Sequence, residues 1–150
     1  MRYGISAAAL IVHDQQVLLV NHQAAGQYDF WLPPGGRLEG EESIFDCAKR
    51  ETFEETGLIV APDRILYIQE FAEPGYHFCK FFILCSAFSG MLTLAQRAPD
   101  EDFLVAARFF VQRDLIDRDV RPEILKGQFW ADVEMESPPT RYLGLERIRD

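Results

Sequence analysis

Two runs of β-branched and aliphatic residues open the chain, Tyr3 to Val12 and Val17 to Val20, parted by the polar stretch His13-Asp14-Gln15-Gln16. That pattern predicts a β-hairpin. Gln23 to Tyr28 is polar and contains Gly26, which predicts a loop. Trp31-Leu32-Pro33-Pro34-Gly35-Gly36 combines two residues without a backbone donor and two with wide conformational freedom, and is predicted to be a shaped loop rather than regular structure. Glu42 to Thr56 favours helix, with Gly57 where a left-handed C-terminal cap belongs. Ile65 to Phe71, His77 to Phe88 and Ala106 to Val111 predict further strands, the middle one nearly all apolar and hence central. Pro99-Asp100-Glu101-Asp102 is an acidic loop. Arg113 to Ile116 and Pro122 to Trp130 predict short helices, and the tail from Glu136, with Pro138-Pro139, is predicted to be irregular.

The Glu42 to Thr56 helix carries a conflict. Projected at about 100° per residue, Ile44, Cys47 and Ala48 define an apolar face, and Glu51, Glu54 and Glu55 fall on it too. Three carboxylates at i, i+3 and i+4 repel one another, and turned toward the protein they also lose solvation. A solvated acidic face would avoid both costs by pointing outward. If the face points inward, the compensation suited to hard oxygen ligands at this spacing is Mg²⁺ or Mn²⁺.

Gly36 to Leu58 reads GRLEGEESIFDCAKRETFEETGL. It resembles the Nudix box, G-x5-E-x7-R-E-U-x-E-E-x-G-U with U aliphatic, in which Gly36, Glu42, Arg50, Glu51, Glu54, Glu55, Gly57 and Leu58 all fall in place. Chance agreement at the invariant positions is on the order of 10⁻⁸ per starting point, so coincidence is a poor account. Thr52 stands where the first aliphatic residue belongs, and Glu41 where such boxes often carry glycine, with Gly40 one place earlier. Trp31 and Pro34-Gly35-Gly36 extend the likeness ahead of the box. It covers residues 3 to about 118 and is weakest over the last thirty or so.

The resemblance implies an α/β fold, a Nudix-type α/β/α sandwich around a mixed β-sheet, as one domain over residues 1–150. It implies metal ligation by Glu51, Glu54 and Glu55 with the Gly36 carbonyl, Arg50 orienting a neighbouring glutamate, and Glu42 supporting the ligands from behind. A further carboxylate from a later loop would be Glu101, with Asp102 or Asp100 in reserve. The proton acceptor for the attacking water is open between Glu54 and Glu51, with Glu101 a third choice. The implied reaction is metal-dependent hydrolysis of a diphosphate linkage in a nucleoside diphosphate linked to X, of the ADP-ribose or nucleotide-sugar type. The alternatives are a nucleoside triphosphate pyrophosphohydrolase, acting on oxidised nucleotides among others, and a nucleotide-sensing module without catalysis, which the complete set of box carboxylates disfavours. Several members of the family are dimers, which leaves a homodimer open.

Composition narrows the partners. A net charge of −9 over 150 residues disfavours nucleic-acid backbones as ligands, since these are held by Lys and Arg. It also obliges any phosphate substrate to arrive with a cation. Three cysteines, Cys47, Cys79 and Cys85, without CxxC spacing fit reduced thiols in a cytoplasm better than a disulfide framework. The N-terminal apolar run is short and leads into a polar turn, unlike a signal peptide, and no stretch reaches the length needed to span a bilayer. His13, His22 and His77 lack zinc-site spacing and are read as strand or loop residues, with contact to a nucleobase left open for His77. Tyr28, Phe30 and Trp31 are candidates to line a pocket, Trp31 equally to pack beneath the loop. Phe78, Phe81 and Phe82 are read as core, and Cys47 as a small core residue rather than a reactive thiol.

Overall fold

The computed structural model of the protein describes residues 1–149. The first apolar run divides between two sheets. β1 (Arg2–Leu10) enters one of them, and only the two-residue β2 (Val12–His13) turns back on β3 (Gln16–Ala24), pairing Val12 with Val17 and His13 with Gln16. Asp14 and Gln15 hold φ of 50° and 60° in that turn, the handedness a two-residue hairpin connection requires. The hairpin predicted from the two runs is thus confined to their tips, and β1 finds its partners elsewhere.

Strand structure also invades both predicted loops. β3 continues to Ala24, which pairs with Tyr28 at the start of β4 (Tyr28–Leu32). Gly35 to Arg37 forms β5, antiparallel to β1. Only Pro33 and Pro34 interrupt the backbone ladder, as residues lacking N–H must, and the Pro34 carbonyl is still used, accepting from Ala9 N at 2.9 Å.

β6 (Ile59–Glu73), β7 (Tyr76–Ser89), β8 (Leu104–Val111) and β9 (Arg141–Arg147) complete the strands among the described residues. One sheet runs β5-β1-β7-β6-β9 and is mixed, with β1–β7 and β6–β9 parallel and the other pairs antiparallel. β7 lies at its centre, where its apolar run predicts. In the second sheet β3 pairs with β2, β4 and β8.

β9 overturns the irregular tail predicted from Glu136 onward. Pro138-Pro139 mark only the connection; beyond them Arg141 donates to both oxygens of Asp132 at 2.9 and 2.8 Å. Asp132 is fully buried and also accepts from Tyr67 Oη at 2.7 Å and Gln128 Nε2 at 3.1 Å. A buried carboxylate satisfied in this way anchors the start of β9, and its pKa is lowered to about 2, chiefly by the Arg141 hydrogen bonds. A long-range anchor of this kind leaves no local pattern in the sequence.

Alternation along β1 builds two cores. Ala7, Ala9 and Ile83 face α1 (Ile44–Thr56), contributing to one cluster with Cys47 and Ala48. Ala8, Leu10 and Phe82 face the opposite layer, packing with Leu115, Leu125 and Phe129. That layer holds 3-10 turns at Gln112–Leu115 and Glu123–Lys126 and the short α2 (Phe129–Asp132), where two short helices are predicted. The fold is an α/β sandwich around a mixed sheet. Among the described residues no helix is long and apolar enough to cross a membrane.

Candidate metal centre and its adjoining cleft

α1 begins two residues after the predicted start because Ser43 takes the N-cap, its hydroxyl accepting from Asp46 N at 3.0 Å. Gly57, at φ 78°, ends it by donating to Phe53 O at 2.9 Å. Between the caps, the buried stripe comprises Cys47, Ala48, Glu51, Thr52, Glu55 and Thr56. Thr52 does not disturb the packing, because its hydroxyl bonds to Ala48 O at 2.7 Å and is satisfied within the helix. Gly40, at φ 54°, supplies the turn that the displaced glycine of the motif leaves in question.

The inward placement of the carboxylates is real, though unequal. Glu55 is 1% exposed and Glu51 9%, whereas the Glu54 side chain retains 32% of its exposure at the margin of the stripe. Carboxylate oxygens of Glu51, Glu55 and Glu101 lie within 4.8 Å of one another. Glu101 therefore arrives from the acidic loop, while Asp100 is exposed and Asp102 points out toward Arg97 at 3.9 Å. Glu54 is not one of the three; it lies 3.3 Å from Arg50.

Burial and mutual repulsion act together on this cluster. Burial first, then the charge of Glu51, raise the Glu55 carboxyl well above its ordinary value, against a 2.7 Å hydrogen bond from Gly35 N. Glu51 is raised in the same direction, chiefly by burial, with Arg50 opposing. Such a group of hard oxygens, poorly solvated and close together, is matched to a divalent cation, and the residues present fit one.

Arg50 organises the acidic residues around the centre. Glu42 grips it through two hydrogen bonds, at 3.0 Å to Nε and 2.7 Å to Nη2, and this contact lowers the Glu42 pKa to about 2. Held on that side, Arg50 donates from Nη1 to Glu51 at 2.9 Å, which fixes the carboxylate's direction. Gly36 lies under the same carboxylate: a Cβ at this residue would meet Glu51 Oε1 at 2.6 Å. The Gly36 carbonyl accepts weakly from Cys47 Sγ at 3.4 Å, and burial pushes that thiol up to about 12, so it stays protonated.

Three neighbours carry no signal that the motif provides. Gly35 donates to Glu55. His22 places Nε2 4.0 Å from Glu55 Oε1, buried and without a hydrogen-bond partner, between the rings of Phe30 and Phe103. Burial lowers its pKa to about 4, which leaves it neutral at pH 7. Lys80 is a lone cation in the apolar run of β7, and that isolation was the available clue.

Beside the centre opens a cleft of about 580 Å³, lined by Phe30, Phe71, Phe78, Lys80 and Arg121 among others. Phe71 and Phe78 stack at 4.9 Å, and Arg121 lies over Phe30 at 3.9 Å while pairing with Asp119. Phe78 thus lines the cleft instead of the core, whereas Phe82 is buried as predicted. Trp31 is buried in the core, edge-on to Phe110 at 4.7 Å. His77 is engaged elsewhere, with Glu70 at 2.8 Å.

Comparison with known proteins bears on family and fold. The chain is 30% identical over 128 residues to the m7GpppN-mRNA hydrolase NUDT17 of Danio rerio, covering 75% of this chain and 42% of that protein. It is 32% identical over 97 residues to the 8-oxo-dGDP phosphatase NUDT18 of Danio rerio, covering 65% and 29%. The matches span less than half the length of these curated relatives. Among solved structures, the MutT protein from Bacillus halodurans superposes with a TM-score of 0.70 at 20% identity, covering 97% of this chain and 90% of that one. Residues 2–128 match the NUDIX domain, and with the box helix turning its carboxylates inward as that motif implies, the chain belongs to the Nudix family.

Proposed function

We propose that the protein hydrolyses a diphosphate linkage in a nucleoside diphosphate bearing a second moiety, of the ADP-ribose or nucleotide-sugar type. The observation that carries this reading is the convergence of Glu51, Glu55 and Glu101 within 4.8 Å beside an aromatic, cation-bearing cleft. Glu51, Glu55 and Glu101 would hold Mg²⁺ or Mn²⁺, with Glu54 and the Gly36 carbonyl at its margin. Once bound, the cation supplies charge neutralisation for the diphosphate and acidifies the attacking water. Arg50 keeps Glu51 aimed, Glu42 keeps Arg50 in place, and a glutamate of the cluster or Glu54 accepts the water's proton. The cleft takes the nucleoside, whose base has Phe30, Phe71 and Phe78 available as apolar and stacking surfaces. Oxidised nucleoside phosphates are the second reading, favoured by the likeness to the 8-oxo-dGDP phosphatase.

A panel of nucleotide sugars, dinucleotides, nucleoside triphosphates and oxidised nucleoside diphosphates, assayed with Mg²⁺, distinguishes these readings. Turnover should vanish with EDTA and return with Mg²⁺ or Mn²⁺. Full activity in a metal-free assay would overturn the proposal.

Glu101 offers a sharper check. Glu101→Gln keeps the loop's shape, because the amide oxygen can still accept from Ala98 N, now at 3.3 Å. It should nevertheless lower kcat by about 10²-fold, the equivalent of ~3 kcal/mol of transition-state stabilisation, with little change in KM. Asp102→Asn should leave both constants near wild type, as befits an exposed side chain. Equal rates in all three proteins would remove Glu101 from the centre.

A further inference from the structure

Lys80 sits where the acidic centre meets the cleft. Across three adjacent strands Arg37 pairs with Ser6, and Ser6 with Lys80. Two strand spacings, about 10 Å, thus separate the Lys80 backbone from the strand whose Gly35 and Gly36 touch Glu55 and Glu51. The side chain lines the cleft, with Nζ 5.1 Å from the centroid of Phe82. Its charge is felt at both Glu55 and His22. Among the described residues it forms no ion pair within 4.0 Å, although the same cleft offers Asp119, Glu123 and Glu146.

A sequestered ammonium without a contact ion pair is costly to keep. Methionine would fill the same length without that cost, so the apolar surroundings give no packing reason for lysine. What the position lacks is an anion in direct contact, and the bound substrate would bring one there: a phosphoryl group spanning from the acidic centre to the cleft.

We propose that Lys80 is a positioning residue for the phosphoryl group on the nucleoside side of the scissile linkage, a role that rests on the diphosphate hydrolysis proposed above. Its three donors accept no fixed geometry, which suits a tetrahedral phosphoryl oxygen, and its charge offsets repulsion between that group and the glutamates. Burial lowers the ammonium's pKa to about 8, with Glu55 opposing, so it remains mostly charged at pH 7.

The test uses Lys80→Met and Lys80→Arg in the Mg²⁺-loaded protein, with the α,β-methylene analogues of ADP and GDP as non-hydrolysable probes and adenosine and guanosine as phosphate-free controls. For whichever analogue wild type binds, calorimetry should show affinity falling tenfold or more in Lys80→Met and recovering in part in Lys80→Arg. Affinity for the matching nucleoside should stay within about twofold. Lys80→Met should melt no lower than wild type, since a desolvated charge has been removed, and that result excludes a merely structural role. Wild type binding with unchanged affinity in Lys80→Met overturns the role of Lys80 alone, as does an equal loss for nucleoside and analogue. Failure of wild type to bind either analogue overturns the substrate reading and this inference with it.

Discussion

Glu55→Gln is expected to abolish hydrolysis while raising the melting temperature of the metal-free protein. Glu55 is 1% exposed and packed against Glu51 and Glu101, so its ionised form is destabilising wherever no cation is bound. A carboxyl whose folded pKa is raised contributes its full stability below the unfolded value of about 4.5, and that contribution is lost as pH rises through the folded value. The variant does not titrate. Its advantage over wild type in EDTA should therefore be small near pH 5 and widen toward pH 8, with each kcal/mol relieved worth about 2–4 °C in a chain of this size. Saturating Mg²⁺ should reverse the order, because only wild type gains from the bound ion. Loss of turnover by 10³-fold or more would accompany this, since a central ligand is gone. A variant less stable than wild type at pH 8 in EDTA would show that repulsion among the carboxylates is not what governs Glu55.

The second large effect separates two adjacent glycines. At Gly35 a Cβ would clash with Ala7 O and fall 2.6 Å from Ala8 Cα. Both are backbone atoms of a central strand, so Gly35→Ala must push β5 away from β1, and the protein should fold poorly or melt far below wild type. At Gly36 the three atoms nearest the added one all belong to the end of the Glu51 side chain, with Oε1 at 2.6 Å. A side-chain terminus can move. Gly36→Ala should consequently keep most of its thermal stability but displace the carboxylate that Arg50 holds, lowering kcat by 10²-fold or more and weakening Mn²⁺ binding measured by calorimetry. If Gly36→Ala unfolds like Gly35→Ala, the close approach at Gly36 serves the sheet and not the site.

The residues of the site were legible in the sequence to the extent that their chemistry is local. Glu51 and Glu55 lie one helical turn apart, so their common face follows from the backbone period, and Gly57 ends the helix by a capping rule that acts over a few residues, whereas the Ser43 cap lies one residue inside the predicted start. Glu101 could be placed only by likeness to a family, because its approach depends on where the chain enters β8. Lys80 and His22 gained meaning only when the sheet set them beside Glu55. The fold shows the same division. β7 announced its central place through composition, whereas β9 depends on Arg141 reaching Asp132, and β1 on a partner strand far along the chain. Pairings of that kind arise from satisfying buried groups across the whole molecule.

The parallel pairings also set an order of events during synthesis. Arg2 pairs with Tyr76 and Tyr67 with Arg141, so β1 and β6 each wait for a parallel partner about half a chain-length away, although β5 and β7 can pair with them sooner. At the roughly 5–20 residues per second of translation, the Ala7 to Leu10 run of β1 spends several seconds with its β7-facing edge unpaired, while the β3–β4 hairpin can close at once. Long-range parallel contacts are slow to form in any case. Until β9 docks, the cleft lacks the wall that Glu146 and Ile148 supply, so its completion depends on a pairing that spans about half of these 150 residues.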